Sequence, residues 1–266
     1  MMIKHLIVHM TEEKTQGIVL KLIDYKDANK LASIFTFHNG ITTAKFTGIK
    51  KEKAKLKAVA QPFVLADFSL SQSGTNKTVV GANIIDNFYQ ILTSYNKTMC
   101  GYIVLDVLKT LLPENQPEQD LFLITVATLK NIEIYNEYVA TIDFILKFLT
   151  FSGVGVQFTD TDYVFLDKSS GDFTTKKTLH SVEIDKKVYA ALKEIAENID
   201  LCLSINLNSQ TDEEINNLMM PQSQNTQQKI TTNVNFNLTT LKQALRLLGN
   251  IIYIRLNAEI KSLHFI

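Results

Sequence analysis

A series of short alternating segments over residues 15–85 is the feature that most constrains the fold. Apolar and polar residues alternate in five stretches, each bounded by turn-forming residues. The stretches are Gly17–Ile23, Leu31–Phe37, Ile41–Gly48, Pro62–Ser71 and Lys77–Ile85. A period of two is typical of β-strands that bury one face. Five such strands within about seventy residues predict a small closed barrel of the OB-fold type, and a small SH3-like barrel fits the same pattern.

After Asp86 the apolar residues repeat with the period of a helix. Asp86 is the predicted N-cap of the first helix, and Gly249 is the predicted break between the last two. The predicted helices are Asn87–Thr93, Lys97–Leu112, Asp120–Asn131, Tyr135–Phe151, Ile184–Ile199, Leu238–Leu248 and Ile251–Leu263. Residues 206–228 are polar and rich in Asn and Gln, which favours a long loop or a frayed helix.

Residues 153–178 interrupt the helical pattern, and within them Val154–Phe158 and Tyr163–Leu166 are predicted as short strands. The predicted fold class is therefore α+β. It comprises an N-terminal extension (1–14), an OB-fold barrel (15–85) and an all-α helical domain (86–266) that carries a small inserted β-hairpin segment (153–178).

Charge is divided unevenly along a chain whose net charge is zero. Residues 1–80 hold twelve lysines and six acidic residues, a balance of +6, so the remainder carries −6. Five lysines lie in the loop between the third and fourth predicted strands, where only Glu52 opposes them: Lys50, Lys51, Lys53, Lys55 and Lys57. With Lys45 on the preceding strand, this mobile loop is expected to attract a polyanion, and nucleic acid is the commonest one. A solvated loop without a ligand has the same composition.

Aromatic residues of the barrel are weaker candidates, because alternation places about half of them in the core. Phe35 and Phe37 share one face and are expected to be buried together. Phe46 shares its face with Thr42 and Ala44, and Lys45 points the other way. Tyr25, in a predicted turn beside Lys26, is the best candidate for stacking on a base.

Motifs of catalysis and cofactor binding are absent from the sequence. There is no P-loop, no G-x-S-x-G and no H-E-x-x-H, and the five histidines never stand at metal-ligand spacing. We therefore expect no enzymatic activity and no cofactor. Cys100 and Cys202 are far apart and are expected to be buried thiols in a reducing compartment. No run of eighteen apolar residues is present, so we expect no membrane segment and a cytoplasmic location.

The chain as a whole resembles the RecO family of bacterial recombination mediators. The resemblance is carried by five groups of residues spread from one end of the sequence to the other. They are Thr15–Lys21 with Asp24-Tyr25 and Lys30-Leu31, Phe35–Gly40, Gly48–Lys51, Gln61–Phe63, and Leu245–Leu248 with Lys261-Ser262. The resemblance implies an OB-fold followed by a helical domain. It also implies binding of single- and double-stranded DNA and annealing of complementary strands. The implied partners are RecR and single-stranded DNA-binding protein, with which the family loads RecA. We expect a protein of the nucleoid that is a monomer when alone.

Many members of the family hold zinc with four cysteines in the inserted segment. Residues 153–178 contain no cysteine and no histidine, so the resemblance does not extend to this site and we expect no zinc. Packing of Phe158, Tyr163, Phe165 and Phe173 is expected to hold the segment instead.

The resemblance further implies capture of the acidic, aromatic-ended tail of single-stranded DNA-binding protein by the helical domain. A carboxylate-rich tail requires local cations, and Lys242, Arg246 and Arg255 provide them in the C-terminal helices. Lys242 and Arg246 stand four residues apart and share a helical face. Arg246 fits equally well as a helix cap or as a partner of Glu259.

A different class of function uses the same lysines. In this alternative the barrel is a protein-interaction scaffold that recruits an acidic protein without binding DNA. A pulldown from lysate with and without nuclease separates the two hypotheses.

Overall fold

The computed structural model describes residues 11–161, 164–198 and 236–266, and its first element is a closed five-stranded barrel. The order around the barrel is β1-β2-β3-β5-β4, with β3 and β5 parallel and the other pairs antiparallel. This is the five-stranded Greek-key barrel of the OB-fold, so the predicted class is confirmed. The strands are β1 (Thr11–Tyr25), β2 (Asn29–Thr36), β3 (Gly40–Phe46), β4 (Leu65–Ser73) and β5 (Asn76–Asp86).

Alternation sends every second residue of β2 and β3 into the barrel. Ala32, Ala44 and Phe46 lie in its core, and Phe46 shares this inner face with Ala44, as predicted. Phe35 is buried as expected, but the core that it joins lies outside the barrel. Its ring centroid lies 5.4 Å from that of Phe122, edge to face, and Phe37 lies 5.6 Å from the same ring. Aromatic packing therefore covers one end of the outer β2–β3 surface.

The loop between β3 and β4 is folded as a succession of short turns. The amide of Lys51 donates to the carbonyl of Gly48, that of Ala54 to Lys51, and that of Lys57 to Ala54. Apolar residues between the lysines are buried against the end of the barrel core: Ile49, Val59 and Ala60 fully, Ala54 and Leu56 partly. The loop is thus anchored along its length, which differs from the free loop expected from composition.

Five helices and two 3-10 segments follow the barrel within the described residues. Helix α3 is almost wholly buried and packs against α1, α4 and α5. Asn136 caps α3 by accepting from the amides of Tyr138 and Val139. The helices are α1 (Tyr95–Leu111), α2 (Gln119–Ile134), α3 (Glu137–Phe151), α4 (Lys186–Asn198) and α5 (Leu238–Leu256), and the 3-10 segments are Tyr89–Thr93 and Lys261–Phe265.

Two predicted helix boundaries are wrong. Helix α5 continues through Gly249, where an added Cβ would lie 2.7 Å from Cδ1 of Leu263. The glycine thus permits the close approach of the last 3-10 segment and does not break the helix. Asp86 ends strand β5, and the residue at the first 3-10 N-cap is Phe88, with φ 44°.

The inserted segment supplies two strands of a three-stranded sheet, and the third strand lies just beyond its predicted end at residue 178. Strand β6 (Phe165–Asp167) lies between β7 (Phe173–Thr174) and β8 (Ser181–Glu183). Val154–Phe158 is not a strand, because the carbonyls of Val154 and Gly155 accept hydrogen bonds from the Arg255 side chain.

The chain divides into two compact units. One unit comprises the chain up to Asn87 together with Leu112–Phe122. The other comprises Phe88–Leu111 and the chain from Leu123 onward. We refer to them as the barrel unit and the helical unit. Strand β1 begins at Thr11, inside the predicted extension. Among the described residues, no helix is both long and apolar enough to cross a bilayer.

Cys100 is buried in α1, and burial raises the pKa of its thiol to about 12. The burial of Cys100 agrees with the prediction of a buried thiol. Four features of the sequence lie outside the described residues: the start of the chain (1–10), Tyr163, Cys202 and the polar segment 206–228.

Candidate nucleic-acid interface

A bulge in β1 determines which residues face outward on this side of the barrel. The register with β2 shifts between Val19 and Lys21, so Lys21 pairs with Ser33 and Ile23 with Leu31. Directly opposed residues of antiparallel strands project from the same face. Leu31 in turn pairs with Lys45 of β3. Ile23, Leu31 and Lys45 therefore form one row across three strands, with Lys21 beside it; we call this surface the outer face.

Tyr25 lies at the end of β1, at the edge of the outer face. Its side chain is 36% exposed, and Ile23 on the same face is 51% exposed. The Lys26 ammonium lies 5.4 Å from the centre of the Tyr25 ring, a cation–π distance. Exposed apolar and aromatic groups bordered by lysines are the components of a single-strand site, where rings stack on bases and cations hold phosphates. The β2–β3 surface and the β1–β2 loop are where OB-folds bind oligonucleotides.

Hydrogen bonds join the lysine loop to the β1–β2 loop. The amide of Lys50 donates to the carbonyl of Ala28, and the amide of Gly48 donates to Oδ1 of Asn29 at 2.8 Å. Lys50 also forms an ion pair with Asp24, with Nζ 2.9 Å from Oδ2. The hydrogen bond from Lys50 holds the pKa of Asp24 below its usual value. Lys50 is thus partly committed to a neighbouring carboxylate.

The other lysines of the loop are exposed and have no ion-pair partner within the part of the chain that the structure describes: Lys51, Lys53, Lys55 and Lys57. Their backbone is fixed by turns, while their ammonium groups remain in solvent. Lys45 is half-buried and lies on the outer face, so it points away from Phe46, as predicted. The parallel pairing of Lys45 with Thr78 also places the β4–β5 loop at this end of the barrel. The predicted lysines and Tyr25 therefore lie on connected elements of one barrel.

In the helical unit, Arg246 lines a cavity of about 510 Å³. Ile260, Leu263 and Tyr253 contribute to its wall. The Nη2 group of Arg246 donates to the carbonyl oxygen of Ile266 at 2.7 Å, and the side chain remains exposed. Lys242, one turn away on α5, lies 5.9 Å from the ring centre of Tyr138. Glu259, the alternative partner of Arg246, instead lies 3.1 Å from Nε2 of His264.

Arg255 has a different environment. Its side chain is only 8% exposed. Its Nη1 group donates to the carbonyls of Val154 and Gly155, and its Nη2 group donates to the carbonyl of Gly171 and to the Asp172 carboxylate, all at 2.6–2.9 Å. The guanidinium thus ties α5 to the small sheet, and its hydrogen-bonding groups are committed within the chain.

Aromatic packing also holds the small sheet. The rings of Phe158, Phe173 and Tyr189 form a triangle with centroid distances of 5.0–5.7 Å. Phe165 of the same sheet is also buried. No group of three His, Cys, Asp or Glu residues suited to a metal ion occurs among the residues described. The residues of this segment do not fit a structural zinc site, which needs four such ligands.

Sequence reasoning missed Lys21 and Ile23 as parts of the interface. If alternation continued unbroken along β1, Lys21 and Ile23 would face the barrel core, so the sequence pattern did not mark them as exposed. The available sign was the order Lys-x-Ile-x-Tyr over residues 21–25, which puts two large apolar groups and a cation on one face of a strand end.

Comparison with known proteins agrees with this architecture. A family model described as "Recombination protein O N terminal" matches residues 10–88, the segment of the barrel. A second, "Recombination protein O C terminal", matches residues 92–220.

Similar curated proteins carry the name DNA repair protein RecO. That of Clostridium novyi is 30% identical over 148 residues, covering 54% of this chain and 57% of the relative. That of Listeria monocytogenes is 29% identical over 143 residues, covering 53% and 56%. That of Clostridium perfringens is 26% identical over 189 residues, covering 66% and 77%. The chain thus spans little more than half the length of the first two relatives. With both family models matched in order along the sequence, the chain belongs to the RecO family of DNA repair proteins.

Proposed function

We propose that the protein acts in DNA repair as a non-enzymatic mediator that binds DNA through its barrel. The observation that carries this proposal is a cluster of exposed lysines on the loop that seals the barrel end, none of which has an ion-pair partner among the described residues: Lys51, Lys53, Lys55 and Lys57. Each ammonium that neutralises a phosphate releases a condensed counterion, and this release drives binding without reading sequence. The surface therefore suits both single- and double-stranded DNA.

The outer face adds the means to prefer a single strand. Ile23 and Tyr25 offer apolar surface to unpaired bases, while Lys21 and Lys45 flank them. Stacking contributes about 1–3 kcal/mol per base and tolerates any sequence. The fixed lysine loop screens repulsion between two phosphate backbones, so we propose that the protein also anneals complementary strands. In the cell we place this activity in the cytoplasm, at the nucleoid.

The proposed partners are single-stranded DNA-binding protein and RecR, with which the protein would load RecA. The cavity beside Arg246 supports the first of these. A guanidinium next to an apolar wall suits a peptide end that combines a carboxylate with an aromatic side chain. Lys242 lies one turn away for a flanking acid. Arg255 is committed to the small sheet and is left out of this proposed site.

Fluorescence anisotropy with a labelled oligonucleotide over a salt series tests the barrel. The triple variant Lys51→Gln, Lys53→Gln, Lys55→Gln should bind more weakly, and the slope of log affinity against log salt should flatten by roughly two, since each contact to a single strand contributes about 0.7. The matched control removes exposed lysines of the helical unit, Lys109→Gln with Lys261→Gln, and should leave the slope unchanged. Equal slopes for the triple variant and the wild type exclude the loop as the DNA site.

A second outcome would favour the scaffold. Suppose that the triple variant binds DNA as tightly as the wild type. If the wild type then captures an acidic protein from nuclease-treated lysate and the triple variant does not, the lysines recruit protein. For the helical unit, Arg246→Ala should weaken binding of an acidic tail peptide ending in Phe, and DNA affinity should stay at the wild-type value.

A further inference from the structure

A second basic surface lies on the small sheet of the helical unit, far along the chain from the barrel lysines. The loop from β7 to β8, residues 175–180, carries Lys176 and Lys177, and Leu179 at its apex is fully exposed, at 102% of its reference area. The amide of Lys168 donates to the carbonyl of His180 at 2.9 Å, which brings a third lysine to the same place. We call Lys168 together with residues 175–180 the sheet tip.

Local hydrogen bonds give the sheet tip a defined shape. The amide of Lys176 donates to Oγ1 of Thr174 at 3.1 Å, and the amide of Thr178 donates to Oγ of Ser181 at 2.8 Å. The amide of His180 donates to Oγ1 of Thr178 at 3.3 Å. Leu179 is therefore held outward by the backbone around it. Beneath the tip, the aromatic triangle and Arg255 fix the sheet itself.

Acidic groups near the sheet tip are mostly engaged elsewhere. The Asp172 carboxylate is paired with Arg255. The Asp167 carboxylate accepts from the amide of Ser169 at 2.7 Å, and this bond lowers its pKa. Glu183 is exposed at the far end of β8. The three lysines of the tip are exposed and have no ion-pair partner in the part of the chain described, so the tip presents concentrated positive charge.

We propose that the sheet tip is a second nucleic-acid contact, at which Lys168, Lys176 and Lys177 hold phosphates and Leu179 packs against a base. A projecting apolar side chain among cations is a recurring means of entering a base stack. These residues differ from those of the barrel, so one chain can hold two strands at separate sites, which favours annealing. This inference rests on the proposed DNA binding of the barrel and deepens it by giving the second strand its own site.

The absence of tryptophan from the chain makes a direct test available. Leu179→Trp introduces a single indole at the tip, and stacking on bases should quench its emission when a deoxythymidine oligonucleotide is added at low salt. The matched control is Leu92→Trp, an exposed position on the first 3-10 segment of the helical unit, which should not be quenched. Adding Lys176→Glu and Lys177→Glu to the Leu179→Trp variant should remove the quenching. Equal quenching of both tryptophan variants, or none at the tip while the oligonucleotide is bound, overturns the inference.

A functional measurement accompanies the spectroscopic one. The double variant Lys176→Gln, Lys177→Gln should anneal complementary strands more slowly, and the salt slope of the annealing rate should flatten by roughly 1.4, at about 0.7 per lost contact. Thermal unfolding should be unchanged, because both side chains are exposed. Single-strand binding by the barrel should persist in this variant. If the wild type binds no DNA at all, the proposed function fails. If it binds DNA and the tip variant anneals at the wild-type rate, only the inference fails. Capture of an acidic peptide by the tip in place of DNA also overturns it.

Discussion

Replacement of Arg255 by alanine tests the assignment of the two arginines of the chain to different roles. Both lie on α5, nine positions apart, yet Arg255 donates four hydrogen bonds to distant backbone and carboxylate groups, while Arg246 donates one, to Ile266. A hydrogen bond to a charged group contributes about 1.5–3 kcal/mol net. The four bonds of Arg255 do not add fully, because the Asp172 carboxylate is 63% exposed and water replaces the guanidinium there.

In this variant water cannot easily replace the donor to the carbonyl of Gly171, because that residue is buried. Each carbonyl that is left without a donor and away from water costs about 1–3 kcal/mol. For a chain of this size we therefore expect Arg255→Ala to lower the midpoint of thermal unfolding by on the order of 10 °C. Arg246→Ala, at an exposed position with one hydrogen bond, should lower the free energy of unfolding by no more than about 1 kcal/mol.

Hydrogen exchange locates the effect within the chain. In Arg255→Ala the amide of Lys168, which pairs β6 with the sheet tip, should lose protection, while amides of the β1–β2 pair should keep theirs. Arg255→Lys should recover only part of the loss, because one ammonium cannot replace a fork that reaches four acceptors. Unchanged protection at Lys168, or equal destabilisation by the two arginine-to-alanine changes, would refute the reasoning.

Three further predictions concern other parts of the chain. Gly40→Ala should destabilise the barrel by more than about 2 kcal/mol, because the residue has φ +64° and an added Cβ would lie 1.8 Å from the carbonyl oxygen of Gln116. Gly74→Ala, with φ +61° and open space, should cost only about 1–2 kcal/mol in the same denaturation assay. The pKa of Asp24 is lowered by Lys50, so this pair stabilises the fold above the unfolded pKa of about 3.9. The stabilisation is lost as the pH falls through the lower pKa of the folded state. Lys50→Met should therefore raise the Asp24 pKa measured by NMR titration. Metal analysis of the purified protein should find no stoichiometric zinc, and a chelator should leave the unfolding midpoint unchanged, whereas one zinc per chain would contradict this.

The barrel could be predicted from sequence because its signal is local and repeated. Each strand pairs with a neighbour that buries the same face, so alternation is enforced at nearly every position. The register shift after Val19 could not be predicted, because a bulge adds a residue without changing the composition of the strand. That one residue turns Ile23 and Tyr25 outward, and with them the most exposed apolar part of the interface.

The small sheet shows the opposite limit. Its strands are two or three residues long, too short for any period to be visible. The carbonyls that looked like part of a strand at Val154 are instead held by Arg255, about a hundred residues away in the sequence. The prediction at Gly249 was wrong for a related reason. A glycine in a helical pattern marks either the end of the helix or the close approach of another segment, and only the position of Leu263 in the structure distinguishes the two.

The net charge of zero does not indicate either basic surface, and ion pairs within the chain are part of the reason. Two acidic residues near the exposed lysines are paired with cations of the chain itself: Asp24 with Lys50 and Asp172 with Arg255. A carboxylate so held contributes little field beyond its partner, while an exposed ammonium acts over a Debye length of about 8 Å in physiological salt. Binding to a polyanion therefore depends on the local cations that remain, such as Lys53 on the barrel and Lys177 on the sheet tip. Releasing one of the held acids should weaken a nearby site as effectively as removing a lysine. Lys50→Met leaves Asp24 uncompensated beside the outer face, and it should lower the affinity of the barrel for DNA by more than the loss of one phosphate contact alone.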